Sequence, residues 1–169
     1  MGGFMTVTID GTTGISAVQA GAVTTSDLPA GSVLQVVNAT YGVGISTTSA
    51  TYIDTGLTAS ITPSSATSKI LVVVNMADVG KYGGTSTGGY GKTNIVRNST
   101  QLIEFSKQFG YTGNTNTNSV GSVSSSYLDS PATTSSTTYK IQYALIGSGT
   151  LELNASSSTS TITLMEIAA

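Results

Sequence analysis

Tyr139, Ile141, Tyr143 and Leu145 alternate with Lys140, Gln142 and Ala144, and Gly147-Ser148-Gly149 then leads into Leu151 and Leu153. An apolar residue at every second position puts one set of side chains on each face of an extended chain, so this stretch predicts a half-buried strand and a tight hairpin. Short runs of this kind recur along the whole sequence. No window carries the i, i+3, i+4, i+7 apolar spacing of an amphipathic helix. Thr, Val, Ile and Tyr, which fit a pleated surface, outweigh the helix-building residues. The period of two therefore points to an all-β fold.

Eight or nine strands are expected. Phe4 to Ile9 alternates, with Met5, Val7 and Ile9 on one face, and Gly11-Thr12-Thr13-Gly14 reads as a turn. Residues 15–31 are small and mixed, and read as the rest of an extended arm. Ser32 to Val37 is the next strand. Thr51 to Ile61 is another, bending at Gly56, with a Pro63 turn after it. Lys69 to Met76 is almost continuously apolar, which predicts a central strand buried on both faces. Thr93 to Asn98 and Gln101 to Phe105 flank a turn at Asn98-Ser99-Thr100. Two long exposed loops are expected, at 78–92 (Gly-rich) and 109–126 (polar). Tyr127 and Leu128 precede a turn at Pro131, and Ile162 and Leu164 close the chain. Short strands at regular spacing with turn signals between them predict a jelly-roll-like antiparallel β-sandwich. Residues 1–30 are its N-terminal anchoring arm and residues 31–169 its body.

Composition narrows the chemistry. The 169 residues suit one domain, with only 8% charged and 54 Ser or Thr. A mean hydropathy of +0.18 separates the chain from disordered polar sequences. It contains no His, Cys or Trp, which excludes a histidine general base, a Ser–His–Asp triad, a disulfide and a thiolate metal site. A net charge of −2 argues against nucleic-acid binding. Ile70 to Val74 is the longest clean apolar run, far short of a membrane span, and the N-terminus shows no secretory signal pattern. Met5 offers an alternative start to Met1. No metal, cofactor or membrane insertion is expected.

No carboxylate spacing singles out a glycosidase pair, and Asp54 and Asp129 read as bend and turn residues. Gly83-Gly84-Thr85-Ser86-Thr87-Gly88-Gly89 lacks the glycine spacing of a phosphate loop, although Gly91-Lys92-Thr93 follows. Its plainer reading is a surface loop. Its functional reading is a contact loop, in which Tyr82 and Tyr90, with Lys81 and Lys92, give contact area at low entropy cost. Tyr111 in the second loop would act with them, on a host glycan or protein. So few charges leave little to keep isolated copies apart, which favours a symmetric homo-oligomer that protects its strand edges.

Four segments carry a family resemblance. Asp27-Leu28-Pro29-Ala30-Gly31-Ser32-Val33-Leu34-Gln35-Val36-Val37, Tyr52-Ile53-Asp54-Thr55-Gly56-Leu57 with Ile61-Thr62-Pro63-Ser64-Ser65 and Ser68-Lys69-Ile70-Leu71-Val72, and Ser130-Pro131-Ala132-Thr133-Thr134 through Ile162-Thr163-Leu164-Met165-Glu166-Ile167 resemble a C-terminal module of many bacteriophage virion proteins. The segment Thr6 to Ile15 is similar to the strand and turn that often precede it. The likeness covers residues 28–169. It implies a virion structural protein of the tail-fibre type, common in phages of aquatic bacteria, with a trimeric β-sandwich tip. No long shaft precedes the module here, which departs from most fibres. The expectation is thus a non-enzymatic fibre or fibre tip, assembled in the host cytoplasm and exposed on the particle. Phe4, Met5, Val7 and Ile9 would anchor it to other virion proteins of the tail or capsid. The alternatives are a capsid decoration or head-fibre protein and, more remotely, a carbohydrate-active enzyme.

Overall fold

A computed structural model describes residues 23–24, 27–83, 89–112 and 117–169, leaving aside the side chains of 111–112 and 117–120. The expected arm strand with Phe4, Met5, Val7 and Ile9 lies outside the described residues. Ten strands follow: β1 (Val33–Tyr41), β2 (Ile45–Thr47), β3 (Ile53–Ile61), β4 (Lys69–Tyr82), β5 (Gly89–Arg97), β6 (Thr100–Thr112), β7 (Thr117–Asp129), β8 (Thr137–Ile146), β9 (Thr150–Leu153) and β10 (Ser160–Ile167). None of the described residues forms a helix long and apolar enough to cross a membrane.

The strands pair from the outside inward. β1 pairs β10, β2 pairs β9, β3 pairs β8, β4 pairs β7 and β5 pairs β6, every pair antiparallel. The chain is thus one long folded ribbon, and the ribbon is wrapped on itself into two sheets. The first sheet runs β1, β10, β4, β7, with β9 and β2 joining the far end of β4; the second runs β3, β8, β5, β6. This is the strand order of a jelly-roll sandwich. Between the sheets lie Ile70, Val72, Val74 and Met76 of β4 and Ile162 and Leu164 of β10, against Leu57, Ile61, Ile95, Tyr139, Ile141, Tyr143 and Leu145. Burying each large aliphatic side chain contributes roughly 1.5–3 kcal/mol.

Several expectations hold at the level of elements. The β8 alternation is as read, with Tyr139, Ile141, Tyr143 and Leu145 buried and the hairpin glycines Gly147 and Gly149 at positive φ. β3 bends at Gly56, where φ is +87° and the register with β8 shifts between Asp54 and Thr58. Others need correction. β4 is buried on one face only, because no layer of the described residues lies over its other face, with Leu71 and Val73. The expected loop at 78–92 is mostly strand: β4 runs on to Tyr82 and β5 starts at Gly89. The expected loop at 109–126 is likewise the end of β6 and most of β7. The Ser-rich sequence of β7 is polar because half its side chains face outward, while its backbone completes the long edge of β4. β2 was not anticipated; three residues are too few to show a period.

Polar side chains close the two ends. At the end where residues 30–32 enter, Asp129 of β7 is bonded by Tyr139 Oη of β8 at 2.6 Å and by Arg97 Nη1 of β5 at 2.8 and 2.9 Å, which ties the first sheet to the second. Beside it, fully buried Glu166 accepts bonds from Gln35 Nε2 at 2.6 Å and from the Ser64 amide and hydroxyl, each at 2.7 Å. The Gly31 amide also bonds Ala168 O, so Gly31 and the last residues lie together at this end of the sandwich. At the opposite end, Asn154 Nδ2 donates to Val43 O and Asn154 Oδ1 accepts from Ser160 Oγ.

Candidate functional site

The two sheets present outer faces of different chemistry. On the first sheet, register aligns Val36, Met165, Leu71 and Leu128 in one row across four strands. The next rows toward the far end are Asn38, Thr163, Val73 and Ser126, then Thr40, Thr161, Asn75 and Ser124. Hydroxyls and amides there bond one another, as in Asn38 Nδ2 to Thr163 Oγ1 at 2.8 Å and Ser124 Oγ to Asn75 Oδ1 at 2.7 Å.

The outer face of the second sheet carries side-chain amides and paired charges instead. Asp54 of β3, Gln142 of β8, Asn94 of β5 and Glu104 of β6 form one row, and Thr58, Lys140, Val96 and Gln101 the row beside it. Asp54 accepts from Gln142 Nε2 at 2.7 Å and from Lys140 Nζ at 2.8 Å. Glu104 accepts a short bond from Tyr52 Oη and pairs with Lys92 Nζ at 3.5 Å. Burial acts to raise the Asp54 carboxyl, but the bonds from Lys140 and Gln142 and the Lys140 charge outweigh it, leaving its pKa below the usual value. The Tyr52 bond, aided by Lys92 and Lys107, holds Glu104 low in the same way against burial. Burial, with the bond to Glu104, pushes the Tyr52 phenol up. Both carboxylates are therefore ionised and both lysines engaged near neutral pH. In the middle of the row Asn94 is 1% exposed; its Nδ2 donates to Gln101 Oε1 at 3.0 Å, while its Oδ1 has no partner among the described residues.

The structure separates the contact residues expected from the sequence. Tyr90 and Lys92 lie at alternate positions of β5, on the outer face of the second sheet. Tyr82 ends β4 in the first sheet, its ring folded over Gly80, where a Cβ would come within 2.7 Å of it. Lys81 is not a surface contact: it is 1% exposed, its side chain turned between the sheets, with Nζ 3.3 Å from Gly83 O. Register irregularities between Met76 and Gly80 change which residues of β4 face inward, and this carries Lys81 into the interior. Gly89 makes room for it, since a Cβ there would lie 2.4 Å from Lys81 Cε. The Tyr111 side chain lies outside the described residues, although its backbone belongs to β6. Asp54, Asn94, Glu104 and Gln142 were not singled out from sequence. Asp54 and Gln142 are neighbours only through β-pairing, and neither neighbours the other along the chain.

Two clefts accompany these faces. One, of about 210 Å³, is lined by Leu28, Leu34, Ser64, Ser65, Thr67, Ser68 and the last two residues; the other, of about 240 Å³, lies beside Ile45 and Glu152. Both fall below the roughly 300–1,000 Å³ of a typical small-molecule site. Among the described residues no group of three or more carboxylates could hold a metal ion. Fold and faces together define an antiparallel jelly-roll module with an apolar row on one outer face and paired charges on the other. The chain matches no protein-family model and no curated protein in sequence.

Proposed function

We propose that this chain is a non-enzymatic structural protein of a bacteriophage virion, a tail fibre or fibre tip that works as a trimer and touches the host surface. The observation that carries the reading is the polarity of the sandwich. The arm joins it beside Val33, Ile167 and Asp129, while Tyr82 and Tyr90 stand at the far end of long strands. β4 alone has 14 residues, which at about 3.3 Å each spans roughly 45 Å. Such a module holds a virion at one end and presents its other end and its flanks outward. The sequence resemblance supports the same assignment.

The polar face of the second sheet suits a hydroxylated surface such as a host glycan. Planar amides and carboxylates meet sugar hydroxyls in pairs, and Tyr52 and Tyr90 offer flat apolar rings beside them. Binding, not hydrolysis, fits the spacing. Asp54 and Glu104 stand three strand gaps apart, roughly 14 Å at about 4.8 Å per gap, whereas a glycosidase pair spans about 5–9.5 Å. Neither carboxylate is held protonated to serve as an acid. Many copies on one particle would convert weak contacts into firm attachment.

Gold-conjugated antibody against the chain, imaged on intact virions by electron microscopy, tests the reading. Gold at the tail end is the expected result. Gold spread over the shell would replace the fibre with a capsid decoration protein, and unlabelled particles would overturn the virion assignment.

A further inference from the structure

We propose that the apolar outer face of the first sheet is the surface on which copies of this chain pack against one another. This names the surface for the self-association in the functional reading, but it rests on different observations. Val36, Met165, Leu71 and Leu128 are in register across all four strands, and Val33 and Ile167 extend them toward the arm. Val36 is 56%, Val33 51% and Leu128 49% exposed. Large side chains in a continuous row that no other described residue covers mark an interaction surface, whereas singly scattered ones do not.

Charge and extent select the occupant. Lys69, beside Ile167, is the one charged residue on the four aligned rows of this face. The rows beyond the apolar one are hydroxyls and amides together with Val73. An apolar patch at the arm end, bordered toward the far end by neutral polar rows and poor in charge, has the make-up of a protein interface. Such a face meets no repulsion from its own copy, and a second copy is the one partner certain to carry a matching surface. Four strands about 4.8 Å apart and some eight residues long give a face on the order of 500 Å² in projection, before side-chain relief is added. A stable interface buries about 800 Å² of accessible surface from each partner, so the whole four-strand face with its side-chain relief, and not the apolar row alone, would be engaged. The polar face of the second sheet, which carries Asp54, Lys92, Glu104 and Lys140, then stays outward.

The test is the mass of the full chain in solution, by size-exclusion chromatography with light scattering and by sedimentation equilibrium. The wild-type chain is expected to be an oligomer whose mass is unchanged by salt, because no ion pair holds this surface. The double variant Val36→Asp, Leu128→Asp places like charges in the packed face. It is expected to remain folded by circular dichroism, since both side chains are on the surface, and to raise the dissociation constant about a hundredfold or more. Ser60→Asp, a charge added to the outer face of the second sheet, is expected to leave the mass unchanged. Should the double variant not fold, Val36→Thr with Leu128→Thr replaces it, with weaker association expected and an unchanged dissociation constant counting against the face. A wild-type monomer would overturn both the interface and the trimer. An oligomer that survives the Asp pair would overturn this interface and leave the trimer to another surface.

Discussion

Gly56 shows how a single position is fixed by two demands. Its φ of +87° lies where side chains are strained, and a Cβ there would sit 2.5 Å from the ring of Tyr41. Gly56→Ala is expected to cost about 1–3 kcal/mol, read as a fall in the urea midpoint at unchanged slope. Glu166 is a second such position. Its burial acts to raise its pKa, but the bonds from Gln35, Ser64 and Ser68 prevail and hold it below its ordinary 4.5. The unfolded chain therefore takes up the Glu166 proton first as pH falls. The stabilisation is complete above about pH 4.5 and is lost below it, as pH drops through the folded value. Melting temperatures followed from pH 6 to pH 3, around that 4.5, should fall in the wild type. Glu166→Gln should start lower and fall less over the same range. The bend at Gly56 was legible in the sequence, because glycine within a strand pattern marks it. The partners of Glu166 were not, since Gln35 and Ser64 reach it only once β1 and the β3–β4 connection are in place.

Among elements, the tie between β5, β7 and β8 holds the sheets together where the arm enters. Asp129 is 5% exposed and serves both Arg97 and Tyr139. Asp129→Ala leaves a buried phenol and a guanidinium without their acceptor and is expected to cost about 2 kcal/mol, against about 1 kcal/mol for Tyr139→Phe, both by equilibrium denaturation. A double-mutant cycle between the two should show coupling, as they share one bond. Elements were legible where the signal is local, as in β8 and its hairpin. They were illegible where a neighbour decides the outcome. β7 is a strand because the edge of β4 is there to pair with, although Ser124, Ser125 and Ser126 read as loop. Lys69 to Met76 read as buried on both faces because hydrophobicity alone does not distinguish a covered face from a partly exposed one. The candidate face of the second sheet was half legible: Lys92 and Tyr90 were named from sequence and Asn94 follows them by alternation along β5, whereas Gln142 and Asp54 join them only through register.

For the whole molecule, the arm and the sandwich should be separable. β1 begins at Val33, and the Gly31 amide and Ser32 carbonyl bond Ala168 across the boundary. Deleting residues 1–30 is therefore expected to leave a folded sandwich, with unchanged β-rich circular dichroism and a cooperative melt, and the proposed virion role predicts that it no longer joins the particle. An unfolded product would show that the arm is part of the body.

The outside-in pairing also sets the order of events in synthesis. Among the described strands β1 pairs with β10 alone, and β2 and β3 pair with β9 and β8 alone. The innermost hairpin, β5 with β6, is the first pair the ribosome can release. Closure of the sheets must wait for the final residues, and so many distant pairings make it slow, on a scale of about milliseconds to seconds. A nascent chain halted before Ser160 would leave the flank of β4 next to β10 bare. Stalled or C-terminally truncated chains are thus expected to aggregate, their bare strand edge pairing with that of another chain.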